Sequence, residues 1–212
     1  MKPFPKRLKL ADLPTRIEKL ERFSERTGLN VYVKRDDMSG MEWSGNKIRK
    51  LEFSIQEALD RGADTLITCG GIQSNHCRAT AAAAARLGLR SCLLLRTDDP
   101  DPLLDGNYFI DKVLGADIRF ISAEDYRSRR GEVMEELAGE FERQGHKAYI
   151  IPEGASNGIG TFGYLSCMQE ILQQEKEMGV QFDTIVDAVG SGGTLAGLVL
   201  ANRLYGLNKR IV

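Results

Sequence analysis

Thr65-Leu66-Ile67-Thr68-Cys69-Gly70-Gly71-Ile72-Gln73-Ser74-Asn75-His76 passes from an apolar, β-branched run through two glycines into the alanine-rich stretch Ala79–Ala85. Thr65–Thr68 suits a buried, pleated strand. Ser74–Leu87 has the composition of a helix and stops at Gly88, where a left-handed residue is needed to end it. A second strand-like run, Ser91–Leu95, follows directly. Strand, helix and strand at this spacing make a βαβ unit, whose two strands run parallel with the helix as crossover.

The same alternation extends in both directions. Further strand-like runs occur at Val31–Lys34, Asp117–Ile121, Lys147–Ile151 and Thr184–Val189. Between them helical spacing predicts helices over about Asn46–Arg61, Leu103–Leu114, Ala123–Arg143, Gly158–Lys176 and Gly193–Tyr205. Gly62, Gly115, Gly145 and Gly206 stand where such helices should stop. The strands are nearly continuous apolar runs, as expected when helices cover both faces. The predicted fold class is α/β with a mostly parallel, doubly wound sheet. Lys209–Val212 reads as the start of another strand, and a covering helix is expected after it, so the chain reads as cut short.

Composition narrows the function. Hydrophobic residues make up 42% and charged residues 28%, ordinary values for a globular chain. A net charge of −1 argues against a non-specific nucleic-acid binder, which needs an excess of Lys and Arg. No apolar run is long enough for a membrane span. Met1–Arg16 is basic without a following apolar segment, unlike a signal peptide. Cys69, Cys77, Cys92 and Cys167 are scattered and are expected as reduced thiols of a cytoplasmic protein. With two histidines, His76 and His146, and no CxxC, no metal site is expected.

Three segments carry candidate chemistry. Gly190-Ser191-Gly192-Gly193-Thr194 follows an apolar run and opens a helix, which is how backbone N–H groups are aimed at an anion. A plain strand-to-helix turn or a dinucleotide loop are the competing readings, although Leu195 replaces the last glycine of a GxGxxG and the Walker lysine is absent. In Ser44-Gly45-Asn46-Lys47-Ile48-Arg49-Lys50-Leu51-Glu52, Ser44 as N-cap places Lys47 in the first helical turn. There the helix dipole, Arg49 and Lys50 would lower its pKa towards the neutral amine that Schiff-base chemistry requires. Three cations on a helix are more usually the pattern of a solvated face. In Gly70–His76, Ser74 or Asn75 is either a simple N-cap or turns its polar group to a ligand at the C-terminal edge of the sheet.

Taken in order, Val33-Lys34-Arg35-Asp36-Asp37, Gly45–Glu52, Gly70–Asn75, Pro152-Glu153-Gly154-Ala155-Ser156-Asn157 and Gly190–Thr194 resemble the D-cysteine desulfhydrase and 1-aminocyclopropane-1-carboxylate (ACC) deaminase family. These are pyridoxal 5′-phosphate (PLP) enzymes built like the tryptophan synthase β subunit. The resemblance implies two doubly wound parallel-sheet domains with the cofactor between them. Residues 51–158 would form the small domain, and 1–50 with 159–212 a large domain that is incomplete.

The resemblance also implies roles. Lys47 would hold PLP as a Schiff base and act as proton acceptor. Asn75 would hydrogen-bond the cofactor's phenolic oxygen, and Ser74 would assist proton movement on the substrate side. Ser191, Gly192, Gly193 and Thr194 would bind the phosphate, with Lys50 beside them. The implied reaction is cleavage of the carbon–sulfur bond of D-cysteine, or a similar small amino acid, to pyruvate, sulfide and ammonia. The alternative is deamination of ACC to 2-oxobutanoate and ammonia. Leu95–Pro100, Asp105-Gly106-Asn107 and His76 are more similar to the desulfhydrases. A homodimer is implied. A catalytically incomplete fragment and a nucleotide-binding module are the readings from other classes, and the second leaves Lys47, Ser74 and Asn75 unexplained.

Overall fold

The computed structural model describes residues 4–212; residues 1–3 of the basic N-terminal segment and of the expected large domain lie outside the described residues. The chain opens with a short antiparallel pair, β1 (Ile17–Lys19) and β2 (Tyr32–Lys34), joined through helix α1 (Glu21–Thr27). Neither β1 nor α1 was expected. Three strand residues and a seven-residue helix are too short for periodicity to register.

The central unit is the one expected from the βαβ reading. After α2 (Lys47–Asp60) come β3 (Thr65–Gly71), α3 (Asn75–Leu87), β4 (Arg90–Arg96), α4 (Gly106–Val113), β5 (Asp117–Ile121), α5 (Ala123–Arg143) and β6 (Ala148–Ile150). All four strands are parallel, in the order β5-β4-β3-β6. Successive residues of β3 serve opposite faces. Leu66 packs with Ile48, Leu51, Ile55 and the alanines of α3, while Ile67 and Cys69 pack with Tyr126, Met134, Leu137 and Phe141 of α5. The sheet is therefore covered on both sides, which is why its strands read as unbroken apolar runs.

Strand order reverses between β3 and β6. The C-terminal ends of strands at such a reversal are the usual ligand position in open α/β sheets, and two loops leave β3 and β6 there. Those loops are Ile72–Ser74 and Pro152–Asn157.

Helices α6 (Gly158–Met178) and α7 (Gly193–Leu204) pack together with Ile17, Phe182, Ile185 and Ile211 as a second unit. The strand expected at Thr184–Val189 is shorter: β7 is Thr184–Ile185, paired in parallel with β8 (Arg210–Ile211). Extended chain persists as strand where a neighbour completes its hydrogen bonds, and the β8 ladder is two residues long. Val186 and Val189 beyond it are 78% and 55% exposed. All four cysteines are free and buried. Among the described residues no helix is long and apolar enough to cross a membrane.

Candidate functional site

The first turn of α2 carries Lys47 and Lys50. These lie three residues apart and so on one helical face, whereas Arg49 points elsewhere. The guanidinium of Arg49 is fully buried and donates to Asp36 Oδ1 and Oδ2 at 2.8 and 2.9 Å and to Glu170 Oε1 and Oε2 at 2.9 and 3.0 Å. It locks α2 to α6 and to the turn at Asp36–Met38. The solvated-face reading fails, since Arg49 and Lys50 are 0% and 1% exposed. Ser44 does not cap the helix. Its carbonyl and hydroxyl accept from Arg78 at 3.2 and 3.3 Å, and the helix opens at Lys47 after Asn46, which makes no capping bond.

Opposite this face lies the loop Gly190–Thr194. It lines one cleft with Asn46, Lys47, Lys50 and Asp187. Asn46 Nδ2 donates to Thr194 Oγ1 at 2.9 Å, while Asn46 Oδ1 accepts from Lys47 Nζ at 3.0 Å. A single amide thus ties the lysine to the loop. Gly192, with φ +82°, turns the loop into α7. At Gly193 a β-carbon would stand 2.5 Å from Ser156 Oγ and 3.0 Å from Lys50 Nζ. The glycine lets the backbone approach the lysine closely. Ser156 and Ser191 share a hydrogen bond of 2.7 Å, which joins the loop after β6 to the glycine loop.

Burial lowers the pKa of Lys47, opposed by the negative charges of Asp187 and Glu153. The expected contribution of Arg49 is absent because that charge is neutralised by two carboxylates. Burial, with the charge of Lys47, brings Lys50 down to about 8. Asp187 is held above the ordinary carboxylate range by burial, against the N–H of Ala188 and the two lysines. Two amines short of countercharge facing a glycine loop at a helix start suit an anionic ligand with an electrophilic carbon.

Ser74 and Asn75 stand apart from this cleft, at the C-terminal end of β3. Ser74 is the N-cap of α3, its Oγ accepting from Cys77 N at 3.2 Å. That bond uses a lone pair and leaves its O–H available. Asn75 is exposed, and its Oδ1 accepts from Asn107 Nδ2 at 2.9 Å. His76 faces inward, 2% exposed. Its Nε2 lies 2.8 Å from Thr68 Oγ1, whose own proton goes to the Ile151 carbonyl, so Nε2 is the donor. Burial holds its pKa at about 3, so it stays neutral and acts as core rather than as a substrate contact. Arg78 links the start of α3 to Ser44, ahead of Lys47. Asn46, Ser156, Asp187, Arg78 and Asn107 were missed in the sequence, although each lies within or beside a quoted motif.

The profile of a family described as "Pyridoxal-phosphate dependent enzyme" matches residues 8–212. The chain is 45% identical to a bifunctional D-cysteine desulfhydrase/1-aminocyclopropane-1-carboxylate deaminase of Arabidopsis thaliana, across 100% of this chain and 55% of the relative. It is 42% identical to a D-cysteine desulfhydrase of Serratia proteamaculans, across 93% of this chain and 60% of the relative. The crystal structure of an ACC deaminase homologue superposes with a TM-score of 0.89 at 43% identity, across 98% of this chain and 61% of that one. The chain thus spans somewhat over half the length of these curated relatives. With its profile matched from residue 8 to residue 212, the chain belongs to the family of pyridoxal-phosphate dependent enzymes.

Proposed function

We propose that this chain binds PLP at Lys47 and uses it to cleave the carbon–sulfur bond of D-cysteine or a similar small amino acid, giving pyruvate, sulfide and ammonia. The observation that carries the reading is the half-buried Lys47 amine, with its pKa lowered, facing a loop whose Gly193 leaves room only for backbone beside Lys50 Nζ. The residues fit the cofactor. The N–H groups of the glycine loop with Ser191, Thr194 and Lys50 would hold its phosphate, Lys47 its carbonyl carbon, and Asn75 its phenolic oxygen.

Bound there, PLP supplies an electron sink for charge developing beside the amino group of the substrate. The residues of the chain do the rest. Lys47 Nζ, whose pKa burial lowers, would hold the cofactor's carbonyl carbon and is the candidate acceptor for the proton on the substrate α-carbon. Asn46 and Thr194 fix the lysine against the loop. Ser74, with its hydroxyl proton uncommitted, passes a proton on the substrate side.

The Serratia relative is named for the desulfhydrase reaction and the Arabidopsis relative for both reactions. ACC deamination is therefore the second reading, supported by the second name. The resemblance supports a homodimer and the scattered cysteines a cytoplasmic protein, which light scattering and cell fractionation check.

The test is a visible spectrum of the chain with added PLP, then borohydride reduction and peptide mapping. A band trapped on Lys47, lost in Lys47→Ala, is the expected result. No band from the folded chain, or trapping on another lysine, refutes the assignment. Pyruvate from D-cysteine or 2-oxobutanoate from ACC then decides the substrate.

A further inference from the structure

Asp105-Gly106-Asn107 opens α4, outside the cleft, yet its bonds converge on the start of α3. Asn107 N donates to Gln73 Oε1 at 2.7 Å. Its side-chain Nδ2 donates to the Gln73 carbonyl at 2.8 Å and to Asn75 Oδ1 at 2.9 Å. Its Oδ1 accepts from Arg78 NH1 at 3.0 Å. Gly106, at φ +50°, allows this approach, since a β-carbon there would stand 2.5 Å from Gln73 Oε1.

Chemistry fixes the direction of every bond. A guanidinium only donates, so the Asn107 atom facing Arg78 is its oxygen. A carbonyl only accepts, so the Asn107 atom facing Gln73 O is its nitrogen. Both constraints select one orientation of the amide. The same nitrogen faces Asn75, so the Asn75 atom that receives it is the oxygen. The Asn75 NH2 is left without a partner among the described residues. Arg78 also holds the carbonyl of Ser44, three residues before Lys47.

We propose that Asn107 is a positioning residue: clamped by Arg78 and Gln73, it holds the Asn75 oxygen and so presents the Asn75 NH2 as a donor to the cofactor's phenolic oxygen. The relay Ser44–Arg78–Asn107–Asn75 sets the loop that leads into Lys47 and the donor on α3 by one guanidinium. The inference rests on the PLP reading of the cleft, because the acceptor it serves belongs to that group.

The test is Asn107→Asp in the full chain. Aspartate keeps the size and the bond from Arg78 but has no NH2, so Asn75 is free to turn its own NH2 towards the new carboxylate. Three PLP titrations are compared: Asn107→Asp, Asn75→Ala and the double variant. Emission from Trp43, the sole tryptophan and 5% exposed just ahead of Ser44, reports an intact fold. The expected result is a PLP dissociation constant raised about tenfold in Asn107→Asp, the loss of one hydrogen bond to a polar group. Its visible band should be displaced, with unchanged Trp43 emission. The double variant should be no weaker than Asn75→Ala alone, because Asn107 acts through Asn75. An unchanged band and affinity in Asn107→Asp, or a loss that adds fully to that of Asn75→Ala, overturns the relay. A wild-type chain that takes up no PLP overturns the parent reading first, before any variant is compared.

Discussion

Gly163 of α6 faces the backbone of α2. A β-carbon there would lie 2.6 Å from both C and O of Arg49 and 2.8 Å from Lys50 N. No flexible side chain is present to yield, so Gly163→Ala must push α2 and α6 apart by about 1 Å before the contact becomes repulsion-free. Overpacking of this kind costs about 1–3 kcal/mol. The better helix propensity of alanine returns about 1 kcal/mol. The expected net loss, up to about 2 kcal/mol, lowers the melting midpoint by up to about 4–8 °C in a chain of this size. Gly131 of α5 is the control, exposed and with nothing within 4 Å of an added β-carbon. Gly131→Ala should gain up to about 1 kcal/mol and melt about 2 °C higher. The assay is thermal unfolding followed by far-ultraviolet circular dichroism, together with a PLP titration, since α2 carries Lys47 and Lys50. Gly163→Ala should also bind PLP less tightly, and Gly131→Ala should not. If Gly163→Ala melts at or above the wild type, the two helices are not in backbone contact and the reasoning fails.

Two pH dependences follow from buried charges. Lys50, depressed to about 8 from an unfolded value of 10.5, opposes folding fully below pH 8, and this opposition fades as pH rises to 10.5. Lys50→Met should therefore stabilise the PLP-free chain at pH 7, flatten the gain between pH 8 and 10.5 in urea titrations, and weaken PLP binding. Asp111 is fully buried, its two oxygens have no partner among the described residues, and burial raises its pKa to about 7 against the charge of Arg78. Its raised pKa means that stability is lost as pH climbs from 3.8 through 7. Asp111→Asn should raise the melting midpoint at pH 8 and leave it nearly unchanged at pH 4; an equal shift at both pH values contradicts this.

Much of the fold was legible because the relevant signals are local. Thr65–Thr68, the alanines of α3 and the stop at Gly88 each act over a few residues, and together they define the βαβ unit. The parallel sheet follows from repeating it. The strand expected to reach Val189 stopped at Ile185, since an apolar run reveals its propensity but not the length of its neighbour's ladder. Lys47 was singled out as a candidate mainly through the family resemblance. Its residues alone pointed more to a solvated face. The spacing held a further signal, since Lys47 and Lys50 share a helical face that Arg49 does not. Ser44 failed as a cap because Arg78, distant in sequence, engages both of its acceptors.

The sequence by itself determined the alternation of strands and helices, the glycine stops, and the placing of Lys47, Ser74 and the 190–194 loop at helix starts. Each depends on backbone preferences that one residue and its near neighbours express. Tertiary structure alone decided that Asn46 reaches Thr194 across 148 residues, that Arg49 is neutralised by Asp36 and Glu170, and that Asn107 turns the amide of Asn75. Burial, countercharge and hydrogen-bond direction are properties of atoms brought together by packing, so the chemistry of each amine and amide was settled only when the elements met.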